Sequence, residues 1–381
     1  MITADRLNSV QEYYFSKKLR EVRGLISEGR PIINMGIGSP DLPPSPETVS
    51  TLQEVLQDPK AHQYQSYQGL PELREAMAAF YASRFNVEVD ANTELLPLMG
   101  SKEGIMHVSL AFLNVGDEVL IPNPGYPTYM SVTNLIGAKP ILYDLTANNG
   151  WLPDLDALAK TDLSKVKLMW VSYPNMPTGA RINEAQMKAL VQFAKANDIL
   201  IVNDNPYSFV LNDNPTSVLQ IEAAKEVALE LNSLSKTFNM AGWRVGMVLG
   251  NSAHITAVLK IKSNMDSGMF YGIQKGAITA LKSGPAWFKK LDEVYAKRRG
   301  LMYQLVDKIG ATYDTDTAGM FVWAKLPKGS KSSEEFINEL LYEKNIFIAP
   351  GTIFGSNGEG YIRFSLCVKE EKIKEAISRF N

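Results

Sequence analysis

Several residue types are scarce in this chain, and each scarcity removes a class of function. Among 381 residues there is one cysteine, Cys367. No internal disulfide is possible, which points to a reducing compartment. Lying in the apolar run 361–368, Cys367 reads as a buried strand residue rather than a reactive thiol. The three histidines, His62, His107 and His254, show no metal-ligand spacing, and no metal is expected. A formal net charge of -2 gives no basic field for nucleic acid or an anionic membrane. No uninterrupted apolar run reaches the roughly 20 residues of a membrane span. The first residues, M-I-T-A-D-R-L-N, lack the apolar core of a secretory signal. A cytoplasmic protein acting on small molecules is the expectation.

A hydrophobic content of 45% and a charged content of 21% are ordinary for a globular protein, and the length allows two domains. From about residue 93, short apolar runs alternate with amphipathic ones: 94–99 then 102–113, and 118–122 then 128–136. The alternation continues through 167–173, 184–196, 199–202, 227–231 and 245–249. Strand and helix in turn predict an α/β fold, with a mostly parallel sheet covered by helices on both faces. Ligands of such a sheet gather at strand carboxyl ends. Residues 5–30 read as one amphipathic helix leading into 32–38. From 286 onward a long helical stretch, 286–309, precedes strands at 320–324, 346–349 and 361–366. We therefore expect a large domain over 41–285 and a smaller α+β one built from 1–40 and 286–381.

The most informative stretch is S-L-S-K-T-F-N-M-A-G-W-R-V-G, residues 233–246. Lys236 follows an apolar run, is flanked by Ser233 and Ser235, and is followed by Arg244. A bare S-x-x-K describes many surface lysines. Here the lysine amine can form a Schiff base with an aldehyde. The serine hydroxyls and the arginine fork suit a phosphate dianion. Pyridoxal 5'-phosphate meets all three demands.

Asp204, in I-L-I-V-N-D-N-P-Y, closes a buried apolar run, where a carboxylate needs a cationic or hydrogen-bonding partner. The cofactor's protonated pyridine nitrogen is such a partner; a helix N-cap is the plainer reading. Tyr207, three residues on, can serve the ring hydroxyl. The turn G-S-K-E-G-I, 100–105, joins a strand to a helix, where free N–H groups make an anion site. Ser101 adds a hydroxyl and Lys102 a cation there, although an ordinary serine cap with Glu103 in the first turn also fits.

The order and spacing of these segments resemble class I/II aminotransferases of the fold type I pyridoxal-phosphate family, along nearly the whole chain, 32–368. The resemblance implies that Ser101, Ser233 and Arg244 converge on the cofactor phosphate, with Ser235 and Lys102 close by. It places Tyr126, in N-P-G-Y-P-T-Y, over the pyridine ring. It brings Tyr64, in Y-Q-S-Y-Q-G-L-P-E-L-R, to the phosphate from a neighbouring subunit, so a homodimer with shared sites is expected. Arg363, in Y-I-R-F-S-L, becomes the bidentate anchor of the substrate α-carboxylate, with the backbone of Gly38 close to it. Ile37, Tyr13, Tyr14 and the segment 265–271 are expected along the pocket.

One landmark departs. The family usually reads N-P-T-G, whereas this chain reads Y-P-N-M-P-T-G, so Met176 replaces an asparagine donor to the ring oxygen. A thioether cannot donate. Tyr207 alone, or a shifted Asn175, is expected to serve that oxygen. The implied reaction passes an amino group between an L-amino acid and a 2-oxo acid by ping-pong, with Lys236 moving the α-proton. A carbon–sulfur β-lyase using the same cofactor is the alternative, and a non-catalytic pyridoxal-phosphate sensor a remote one.

Overall fold

The computed structural model of the protein describes residues 3–9 and 14–380; Tyr13 lies outside them. After the helix Tyr14–Ser27 the chain enters β1 (Ile33–Asn34). Seven strands then build the main sheet: β2 (Leu95–Leu98), β3 (Glu118–Asn123), β4 (Lys139–Asp144), β5 (Val166–Val171), β6 (Leu200–Asp204), β7 (Ala228–Ser233) and β8 (Gly246–Leu249). Their order is β2-β8-β7-β6-β5-β3-β4. All neighbours run parallel except at β8, which is antiparallel to both β2 and β7. The expected mostly parallel α/β sheet is thus present.

Burial on both faces explains the near-continuous apolar runs. Along β5, Leu168 and Trp170 join one hydrophobic core while Met169 and Val171 join another, as a period of two dictates. The edge strand β4 obeys a different rule. Most of its residues are exposed or half-buried, Ile141 and Leu142 among the exposed ones, and the alternation read from sequence passes over it.

Toward the C-terminus, the helix Pro285–Ile309 leads into β9 (Thr312–Tyr313), β10 (Phe321–Lys325), β11 (Ile346–Phe347), β12 (Ala349–Pro350) and β13 (Tyr361–Ser365). A four-stranded antiparallel sheet has the order β12-β13-β10-β9, and β11 pairs instead with β1. The single strand expected at 346–349 is therefore two, switching sheets at Ile348. A separate hydrophobic core, including Tyr295, Met302, Phe321 and Phe364, packs under this second sheet. The helix expected over 5–30 is also shorter: Asp5–Ser9 is a 3-10 turn and the α-helix spans Tyr14–Ser27.

Candidate active site

At the carboxyl ends of the parallel strands, β6 delivers Asp204, β7 delivers Ser233, and the loop after β5 delivers Ser172. They line a cavity of about 530 Å³, closed from the other side by Phe321, Phe354 and Arg363. Lys236 lies in the single turn Leu234–Thr237 that follows β7. Its Nζ donates to the carbonyl oxygen of Gly38 at 2.6 Å. A side chain at Gly38 is barred, since a Cβ would sit 2.4 Å from Cζ of Phe321. Burial lowers the Lys236 pKa from its ordinary value; Arg363 and Arg244 push the same way and Cys367 opposes them.

Asp204 ends β6 and caps no helix. It is buried, with Oδ2 accepting from the Tyr129 hydroxyl at 2.8 Å. Oδ1 has no hydrogen-bond partner among the described residues. Desolvation pushes the carboxyl from 3.8 up to about 6, against the Tyr129 bond, which lowers it. Tyr129 is itself fixed by stacking on Trp170, centroids 4.8 Å apart and planes 4° from parallel. Sequence reading missed Tyr129, although it ends the same N-P-G-Y-P-T-Y string as Tyr126; its alignment with Asp204 exists only once β3 and β6 share a sheet. Tyr126 also lines the cavity and meets Tyr129 edge-on, as Tyr207 meets Phe321.

The other end of the cavity is furnished for an anion. Gly100, at φ +88°, is the N-cap of the helix Ser101–Phe112 and supplies no side-chain bond to its first turn. Ser101 is thus inside the helix rather than its cap, and the first-turn residues Ser101 and Lys102 line the cavity, at the helix end that suits an anion. Arg244 crosses this junction: its Nη2 lies where a Gly100 Cβ would be, and a Cβ there would come within 2.1 Å of it. Ser233 and Ser235 line the same cavity, their Oγ atoms 2.9 Å apart, and Ser233 accepts the N–H of Ser235.

Arg363, on β13, is buried, and its Nη2 donates to the Gly36 carbonyl at 2.8 Å. Its guanidinium lies 4.0 Å from the ring centre of Phe321 and 4.6 Å from that of Phe354. Nη1 donates to Sδ of Met176 at 3.4 Å. Residues 36–38 therefore take a hydrogen bond from Arg363 at one end and from Lys236 at the other. Ile37, between them, also lines the cavity.

Other expected residues fall elsewhere. Asn175 does not line the cavity: its Oδ1 accepts from the backbone and hydroxyl of Thr178 and its Nδ2 donates to the Ser172 carbonyl. Those bonds hold the turn, so Asn175 is not positioned to serve a cofactor oxygen, and Met176 takes the lining place. Tyr64 is 90% exposed. Tyr14 lines an adjoining cavity rather than this one. Of the segment 265–271, Met269 is buried, Met265 is exposed, and neither lines the cavity. Glu103, His107 and Asp266 approach within 4.8 Å of one another, but Lys262 already holds Asp266 through both oxygens at 2.8 and 2.9 Å.

The residues fit pyridoxal phosphate on two counts: a buried carboxylate with one bare oxygen, and a helix start opened by a glycine that only a missing Cβ allows beside Arg244. A cavity so furnished defines an enzyme of the α/β class acting on small anionic molecules. The chain belongs to the family described as aminotransferase class I and II, which it matches over residues 30–380. It is similar to the LL-diaminopimelate aminotransferase of Maridesulfovibrio salexigens, 41% identical and spanning 99% of this chain and 98% of that one. It resembles the enzyme of that name from Nitratidesulfovibrio vulgaris to 39%, spanning 99% and 97%. Among solved structures, substrate-bound BacF from Bacillus subtilis superposes with a TM-score of 0.95 at 35% identity, covering 100% of this chain and 97% of that one. The protein is an aminotransferase with the fold of that family, and these relatives do not favour the lyase alternative. No helix among the described residues is long and apolar enough to cross a membrane.

Proposed function

We propose that the protein binds pyridoxal 5'-phosphate and transfers an amino group from an L-amino acid to a 2-oxo acid by a ping-pong route, with Lys236 as the residue that moves the proton. The observation that carries this is the bare Oδ1 of Asp204, buried at the end of β6 across the cavity from Lys236. When bound, the cofactor supplies a protonated ring that stabilises negative charge at the substrate α-carbon. Asp204, as a carboxylate, pairs with the ring nitrogen and keeps it protonated. Arg244, Ser101, Ser233, Ser235 and the N–H groups after Gly100 hold the phosphate, with Lys102 adding positive charge nearby. Tyr126 and Tyr207 line the same cavity, where Tyr126 would offer its face to the ring and Tyr207 its hydroxyl to the ring oxygen.

Arg363 holds the substrate α-carboxylate in the planar, two-pronged manner that arginine allows. That fixes the α-hydrogen toward Lys236. The lysine amine, kept below its ordinary pKa by burial, takes this proton and would deliver it to the former aldehyde carbon of the bound cofactor, beyond the nitrogen. The exposure of Tyr64 supports a homodimer in which it reaches the partner's phosphate end. A hydrophobic core under the second sheet, distinct from those on the two faces of the main sheet, supports a large domain over 41–285 and a small one from both ends. The single buried cysteine supports a cytoplasmic setting.

The test is absorbance of the purified yellow protein mixed with single amino acids and no 2-oxo acid. Loss of the yellow band with release of one equivalent of 2-oxo acid is expected. Lys236→Ala should bind cofactor yet lose at least about 10³-fold in this half-reaction. A persisting band while pyruvate and ammonia accumulate would mean elimination instead.

A further inference from the structure

The cavity is charged at one end and greasy at the other. Asp204 is the one carboxylate among the described residues that line it, and it belongs to the cofactor end, as do Lys102, Lys236 and Arg244. Around Arg363 stand the rings of Phe15, Phe321 and Phe354, and Leu19 and Ile37 line the same cavity. A second cavity of about 450 Å³ shares Phe15, Tyr126 and Phe354 with the first, and no charged residue is among its described lining. Among the described residues, the walls between the α-carboxylate anchor and this second cavity carry no further charge.

We infer that the amino donor is a neutral amino acid with a bulky apolar side chain, aromatic or branched aliphatic, seated among Phe15, Leu19, Ile37 and Phe354. This rests on the aminotransferase reading of the same site. An aromatic or aliphatic side chain gains by leaving water for such walls. One ending in a carboxylate or an ammonium must shed its hydration, and among the described residues of this chain it finds no opposite charge there to replace it. LL-diaminopimelate, the compound in the relatives' names, carries both groups at its far end. Arg363 cannot serve that end as well, because the α-carboxylate needs it and its Nη2 is held by Gly36.

The experiment is single-turnover absorbance with the cofactor-loaded protein, comparing kcat/KM for L-phenylalanine, L-leucine, LL-diaminopimelate, L-glutamate and L-alanine. L-phenylalanine or L-leucine is expected to exceed LL-diaminopimelate and L-glutamate by at least about tenfold. Leu19→Arg, on the half-buried face of its helix, should narrow that ratio at least about tenfold without moving the yellow band, which a merely structural defect would not do. LL-diaminopimelate or L-glutamate reacting as fast as L-phenylalanine overturns the inference and leaves the aminotransferase standing. A band that no amino acid moves overturns both.

Discussion

Tyr129 holds one oxygen of Asp204 and leaves the other bare: its hydroxyl donates to Oδ2 at 2.8 Å, and Oδ1 has no partner among the described residues. The bond favours the ionised carboxylate, which is the form that pairs with a pyridinium. Tyr129→Phe removes it while keeping the ring stacked on Trp170. The Kd for pyridoxal phosphate should rise about tenfold, in line with the ~1.5 kcal/mol of a hydrogen bond to a charged group. Fluorescence titration of the apoprotein measures it. An unchanged Kd would remove Tyr129 from the cofactor machinery.

Asp204 also makes the apoprotein's stability depend on pH. Its folded pKa, about 6, lies above the ordinary 3.8, so between those values the folded state holds the proton that the unfolded chain has released. Stability from this group is fully present below about pH 4 and is lost as pH rises through 6. The two-unit shift is worth about 3 kcal/mol. Glu230, also raised by burial, adds to the slope, so the useful quantity is a difference between proteins. The apoprotein of Asp204→Asn should gain Tm over wild type progressively from pH 4 to pH 7, and bind cofactor poorly. A difference that does not change with pH would refute the assignment.

Gly100 tests the anion end. Its φ of +88° already disfavours alanine, and the new Cβ would fall within 2.1 Å of Arg244 Nη2. The clash is with the far end of a flexible side chain, so the fold should survive while the arginine moves off the helix start. Gly100→Ala should raise the Kd for pyridoxal phosphate at least about tenfold, but that for the phosphate-free aldehyde pyridoxal much less. Equal losses for both would place the phosphate elsewhere.

The parts of this site that were legible in sequence share a cause. Lys236, Asp204, Arg244 and Gly100 each lie where a strand meets a turn, so local pattern alone sets their direction. Tyr129, Phe15, Leu19 and Phe354 were not legible as walls because they meet only when the helix Tyr14–Ser27 and the segment before β13 close over the sheet. Asn175 shows the converse. A residue beside the right motif was spent on its own turn, taking the Thr178 N–H and hydroxyl.

Met176 stands where an amide donor is usual and instead accepts from Arg363 Nη1 through Sδ, at 3.4 Å. Two effects follow, and two substitutions separate them. With no donor at that position, the bound cofactor's ring oxygen keeps more negative charge and holds its neighbouring proton more tightly. Met176→Asn supplies the donor, so the pH midpoint of the yellow band should fall, by about one unit. Met176→Leu removes the sulfur and adds no donor, so it should leave the midpoint in place. Both variants lose the contact that steadies Arg363, and both should raise KM for the amino acid a few-fold, as expected for a weak hydrogen bond of about 1 kcal/mol. Spectrophotometric titration and steady-state kinetics on the three proteins read the two effects separately. A midpoint in wild type equal to or below that of Met176→Asn would defeat the electronic effect, and an unaltered KM in Met176→Leu would defeat the positioning one.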